Sequence, residues 1–167
     1  SGHVSIFKNV NNTWTQIGSD IDGEAAGSES GHSVSLSSDG TTVAIGARYN
    51  DGGSAPNNNR GHVRVYQFSN NSWSQLGLDI DGDSGSKSGY SISLSGDGSI
   101  LAIGAIAYAH NFHFDVGLVR VYKWVVSDGE APSAWQQLGS DIDGEAAGDE
   151  SGYSVCLLYT SDAADDS

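Results

Sequence analysis

Residues 30–47 read SGHSVSLSSDGTTVAIGA and residues 88–105 read SGYSISLSGDGSILAIGA. In each, serines alternate with larger side chains, an Asp-Gly turn follows, and a run of small and aliphatic residues closes the stretch. Alternation of this kind puts one face of a strand against a core and the other toward polar surroundings. Asp-Gly between two such runs signals a hairpin, because glycine accepts positive φ. The small residues of VAIGA (43–47) and LAIGA (101–105) predict a second strand packed tightly on both faces. One antiparallel β-hairpin, written twice, is the seed of the fold.

Outward from it, HVSIF (3–7), HVRVY (62–66) and LVRVY (118–122) supply a third alternating strand. Asn-Asn turns at 11–12 and 70–71 lead into a fourth strand carrying Trp14, Trp73 and Trp135, each followed by x-Gln-(Ile/Leu)-Gly. The tryptophans lie 59 and 62 residues apart, the second interval lengthened by an insert near SDGEAP (127–132). An acidic segment comes next: GSDIDGEAAG at 18–27 recurs letter for letter at 139–148. Four short strands in each repeat, with no segment of helical period, predict an all-β fold of four-stranded antiparallel blades, a β-propeller in about three repeats. The strands are expected near 2–8, 31–37, 42–47, 61–68, 90–95, 99–105 and 117–124. Whole blades are expected at 30–78 and 88–140, flanked by parts of two others, so the chain is expected to be a piece of a longer propeller.

The stretches SGHSVSLSSDGTTVAIGA…GHVRVYQF and SGYSISLSGDGSILAIGA…GLVRVYKW resemble FG-GAP repeats, the blades of integrin-α-type β-propellers. The resemblance covers residues 2–155. It implies the blade architecture for 1–155, and it implies that the loops joining second and third strands, 48–60 and 106–116, lie on a ligand-binding face. The family's Phe-Gly is Ser-Gly here, at Ser30-Gly31, Ser88-Gly89 and Ser151-Gly152. Its Gly-Ala-Pro becomes Gly46-Ala47-Arg48 and Gly104-Ala105-Ile106, and its calcium loop is replaced by the short turns at Asp39-Gly40 and Asp97-Gly98. The third repeat breaks after Val155. Read back into codons, Cys156 to Asp166 is similar to a sequencing-library adapter, so 156–167 is expected to be a loose, non-native tail whose first residues continue the strand as SVCLL.

The chain has 167 residues, with 21 acids against 7 bases and a formal charge of −14. Nucleic acid and anionic membrane call for clustered Lys and Arg, so neither is expected as a partner. No apolar run approaches the roughly 20 residues that span a bilayer, so no membrane insertion is expected. An extracellular or cell-surface location fits the acidity and the resemblance.

Three sets of residues are candidates for chemistry. Asp20, Asp22 and Glu24, with Asp79, Asp81 and Asp83, and Asp141, Asp143 and Glu145, sit at positions 1, 3 and 5 of a calcium-loop pattern. The remainder of that pattern fails, with glycine at position 4 and no glutamate at position 12. The acids are therefore expected to be solvated turn residues, with calcium as the alternative ligand; no cofactor is required. His110, His113 and Asp115 could hold zinc or copper. His3 and His62 share a repeat position with Leu118 and are expected to be strand residues, while the tryptophans are expected to pack between blades rather than stack on sugars. No nucleophile motif is present, so no enzyme activity is expected. The variable loops provide the recognition candidates: Arg48, Tyr49, Asn50, Asp51 and Arg60 in the first, and Tyr108, His110, Phe112, His113 and Asp115 in the second. The function expected is a non-catalytic recognition or adhesion scaffold binding protein or glycan. The rival is a propeller accessory to a secreted hydrolase whose catalytic residues lie elsewhere.

Overall fold

The structure is a computed structural model describing residues 1–52, 58–108, 115–129 and 131–158. Among these residues there is no helix, and every strand pairs antiparallel with its sheet neighbour. The central sheet consists of β5 (Ser33–Leu36), β6 (Thr42–Ala47), β7 (His62–Ser69) and β8 (Ser72–Gln75), side by side in that order. A second sheet repeats it with β10 (Ser88–Leu94), β11 (Ile100–Ala105), β12 (Leu118–Val125) and β13 (Ala134–Gln137).

Each of these sheets carries a fifth strand that the four-strand expectation omitted. The third strand is eight residues long, and the tryptophan strand covers only its last half. The first half of the same edge is taken by β9 (Ile80–Asp81) on β7 and by β14 (Ile142–Asp143) on β12. The acidic segment thus begins as a strand. Ahead of both sheets, β1 (His3–Val4) pairs with β4 (Ile21–Asp22), and β2 (Phe7–Val10) pairs with β3 (Thr13–Gln16). The strand expected over 2–8 is broken at Ser5 and Ile6. Among the described residues, their counterparts Arg64 and Val65 find their ladder partners on β6, and no such neighbour lies beside β1 and β2.

Turn chemistry follows the residues. Asn11 and Asn12 have φ of 50° and 64°, and Asn70 and Asn71 repeat those values. Two successive left-handed residues make the hairpin turn whose twist matches its strands, and asparagine tolerates them well. The Asp-Gly loops are held by their aspartates. Asp39 accepts hydrogen bonds from the Ser37 hydroxyl (2.7 Å), the Thr41 amide (2.9 Å) and the Thr41 hydroxyl (2.8 Å). Asp97 is bound in the same way by Ser95 and Ser99. The Ser37 and Ser95 hydroxyls foremost, then the neighbouring amides, hold both carboxyls below the usual range. A carboxyl depressed in the fold stabilises it above the unfolded value of about 3.9, and that contribution disappears as pH falls through the folded value. Acid unfolding should therefore steepen below about pH 4. Replacing Asp39 and Asp97 together by alanine should flatten that limb in a pH series of urea melts, and an unchanged limb would refute this role.

The core lies between sheets. Ala44, Val63, Val65 and Ile80 of the central sheet meet Ile92, Leu94, Leu101 and Ile103 of the next. On the opposite face, Val43, Ile45 and Tyr66 meet Ile6 and Ile21. Every residue of β6 is buried, as its small side chains foretold. Full burial of each such aliphatic side chain is worth about 1.5–3 kcal/mol. The tryptophans cross the same boundaries: the Trp73 indole N–H donates to Ile17 O at 2.9 Å, and Trp135 to Leu76 O at 3.0 Å. Inner strands are tied by Ser33 Oγ donating to Gly89 O and Ser91 Oγ donating to Gly152 O.

Beyond Val155 the strand expected as SVCLL does not form. The Leu157 amide nonetheless donates to Ser93 Oγ at 2.9 Å, repeating the Leu94 amide on Ser35 Oγ. Cys156 is exposed, and residues 159–167 lie outside the described residues.

Candidate functional site

The repeat positions its polar residues by alternation. Along β7, Val63 and Val65 enter the core, so His62, Arg64 and Tyr66 face the preceding repeat. Pairing of His62 with Asp81 and Val63 with Ile80 brings the start of the second acidic segment alongside. The glutamine of each tryptophan strand then fixes the first acid. Gln16, Gln75 and Gln137 donate at 2.7 Å to Asp20, Asp79 and Asp141, respectively. This gives the repeated W-x-Q a purpose that sequence reading did not assign.

The third-strand residue completes the clamp in two repeats. Ser5 donates to Asp20 at 2.6 Å; together the Ser5 hydroxyl and Gln16 lower the Asp20 carboxyl from its usual value. Arg120 grips Asp141 through Nε (2.9 Å) and a terminal nitrogen (2.8 Å), and that nitrogen also reaches Asp83 at 2.7 Å. These bonds raise the guanidinium pKa and lower that of Asp141. Forked pairing of this sort is the geometry guanidinium favours. Tyr108 lies against the same arginine, 5.9 Å from ring centroid to guanidinium carbon.

The middle repeat departs from this pattern. Arg64, 7 % exposed, donates to the backbone oxygen of Asp22 at 2.9 Å and stands 3.4 Å from Glu24 Oε1. Its Nε is buried without a partner. Asp79 Oδ2 lies 3.6 Å from His62 Nδ1, and Glu24 Oε2 lies 3.9 Å from the same nitrogen. Burial lowers the imidazole pKa, against a smaller opposing pull from Asp79, which favours the neutral ring.

Above this cluster lies a cavity of about 470 Å³ whose lining includes Glu24, Tyr49, Asn50, Asp51, Asp79 and Asp81. The first variable loop thus contributes Tyr49, Asn50 and Asp51 to a wall of repeat acids. Asn50 is buried, accepts the Gly52 amide at 2.7 Å and stands 3.5 Å from Glu24 Oε2; Asp51 accepts the Asn59 amide at 2.9 Å. Arg48 and Arg60 are held elsewhere. Arg48 pairs with Glu29 at 2.8 Å and lies over Tyr49 and Tyr90, while Arg60 donates to Gly82 O at 2.9 Å. Of the second loop, Tyr108 sits at the other repeat boundary, and the backbone oxygen of Asp115 accepts the Glu150 amide at 3.1 Å. His110, Phe112 and His113 lie outside the described residues.

None of the acidic segments gathers its own three carboxylates. Asp20 is bound by Ser5 and Gln16, Asp83 by Arg120, and Asp141 by Arg120 and Gln137. Asp81 lines the cavity, Asp22 is engaged through its backbone oxygen, and the Glu145 amide donates to Asp149 at 3.0 Å. Asp143 pairs through its backbone with Leu118. Among the described residues, the group of metal-capable side chains that does converge takes Glu24 from one segment, Asp79 from the next, and His62 from the strand between them; their ligand atoms all lie within 4.8 Å of one another. Sequence reading placed His62 in a strand and missed what it faces. The signal was present in its neighbour: of only 7 bases, two (Arg64 and Arg120) share one position in the third strand, flanked on both sides by valine. A basic residue there requires acids across the boundary.

No protein-family model matches the chain, and no curated protein shows significant similarity to it.

Proposed function

We propose that the chain is a segment of a β-propeller built from FG-GAP-like blades, and that it serves as a non-catalytic, extracellular recognition or adhesion scaffold. The observation that carries this reading is the convergence of a loop that differs between repeats with acids that recur, around one cavity of about 470 Å³. Function on a repeated scaffold sits in the loops that vary. The serial order of the sheets, each packing its faces against its neighbours, supports the blade reading. So do the side chains left outward at the two ends: Trp14 and Val34 at one, Ile142 and Tyr153 at the other. Tyr49 offers a flat amphipathic surface, and Glu24, Asp51, Asp79 and Asp81 offer acceptors. That lining suits a basic side chain of a protein ligand or the hydroxyls of a glycan.

The chain should bind members of a glycan array or a displayed peptide library enriched in Lys and Arg. Tyr49→Ala and Asp81→Asn should each weaken that binding about tenfold or more, with the circular dichroism spectrum unchanged. Binding that ignores both substitutions would place recognition elsewhere. Turnover of a bound probe, lost on one point change, would make the protein an enzyme.

A further inference from the structure

We propose that Glu24, His62 and Asp79 form a site for one divalent metal ion of the zinc class, built across the boundary between the first two repeats and missing from the next. The His62 side chain is 2 % exposed, and its Nδ1 points at Asp79 Oδ2 and Glu24 Oε2, 3.6 and 3.9 Å away. Both distances exceed hydrogen-bond length, and no hydrogen bond reaches the ring among the described residues. The ring nitrogen thus faces two carboxylate oxygens across gaps longer than a hydrogen bond, which leaves room for an ion to lie between the three atoms.

The two carboxylates are set up to share such an occupant. Gln75 holds Asp79 by Oδ1 at 2.7 Å and Arg64 stands by Glu24 Oε1 at 3.4 Å; the other oxygen of each faces the imidazole, that of Glu24 also accepting the Asn50 side-chain amide at 3.5 Å. Partners that pin the far atom of a ligand are what orient a metal site. Metal bonds of about 2.0–2.2 Å at tetrahedral angles put donor atoms roughly 3.3–3.5 Å apart. Closing the two gaps to the imidazole takes a few tenths of an ångström, and the two carboxylate oxygens, within 4.8 Å of each other, must draw together by at most about 1.5 Å, within reach of side chains that are 46 % (Glu24) and 31 % (Asp79) exposed. One imidazole nitrogen with two carboxylate oxygens is a zinc-type donor set that leaves a position for water.

The following boundary serves as an internal control. There Leu118 replaces His62, and Arg120 closes on both Asp141 and Asp83. Where histidine is present, the matching arginine leaves Asp79 alone and keeps a buried Nε unpaired. The metal site and any loop-borne ligand share Glu24 and Asp79 but are separable through the residues they do not share, since His62 serves the metal alone and Tyr49 the ligand alone.

Titration of the full chain with Zn²⁺ alone, followed by calorimetry, should show one saturable site. Co²⁺ should give a visible ligand-field band and a paramagnetically shifted His62 imidazole signal. His62→Leu, which installs the third-repeat side chain, should weaken Zn²⁺ binding about tenfold or more, as should Glu24→Gln and Asp79→Asn. If His62→Leu fails to fold by circular dichroism, the two partly exposed carboxylate variants carry the test. His110→Ala with His113→Ala should leave the affinity unchanged. The proposal is overturned by the absence of saturable Zn²⁺ binding, by binding that survives all three site substitutions, or by binding that disappears with His110 and His113. Calcium binding indifferent to His62→Leu, in place of zinc binding, also overturns it.

Discussion

Gly46→Ala should lower the stability of the chain by about 3 kcal/mol, enough to leave much of it unfolded at 37 °C. Gly46 sits in β6 where the inner strand of the next repeat crosses, and a Cβ there would overlap Gly89 O and Ser33 Oγ. Neither can retreat. Gly89 O accepts the Ser33 hydroxyl at 2.7 Å, and β6 is buried along its whole length. Gly104 meets Gly152 O and Ser91 Oγ in the same way, so Gly104→Ala should behave alike. Gly40→Ala makes the contrast. Its φ of 72° strains alanine, but nothing lies within 4 Å of the new methyl, so about 1 kcal/mol is expected. Urea denaturation of the three variants should rank them in that order. A wild-type midpoint for Gly46→Ala would mean that the strands do not approach as described.

Trp73→Ala should cost about 3 kcal/mol, and Trp14→Ala at the same repeat position less than about 0.5 kcal/mol. Trp73 packs against Val43, Ile45 and Tyr66 with Ile6 and Ile21, stacks near Phe68 and donates to Ile17 O. Trp14 is 69 % exposed and carries no such load. Trp73→Phe should recover most of the loss and leave about 1 kcal/mol for the hydrogen bond. Equal effects at Trp14 and Trp73 in denaturant melts would show that the indole acts within its own hairpin rather than across the boundary. They would also remove the reason for its repetition.

Local chemistry was written in the residues and could be read without coordinates. Ser-Val-Ser-Leu declared a strand because side chains alternate with a period of two, Ile-Leu-Ala-Ile declared one because a short run of small and aliphatic residues suits a strand packed on both faces, and Asn-Asn and Asp-Gly declared turns because few other pairs adopt those torsions. The repeat itself told which residues share a role, and so pointed to the tryptophans as boundary residues. The two-residue strands Ile21–Asp22, Ile80–Asp81 and Ile142–Asp143 escaped, since two residues have no period to read. What each face meets was decided only by tertiary structure. The sequence shows Glu24, His62 and Asp79 in three separate segments, and only the stacking of one repeat on the next brings their ligand atoms within 4.8 Å of one another. The same stacking leaves Asp79 facing a histidine while its twin Asp141 is gripped by an arginine, although both follow the same W-x-Q. Periodicity fixes the direction of a side chain relative to its own strand; the partner across a boundary depends on long-range packing, which no local pattern encodes.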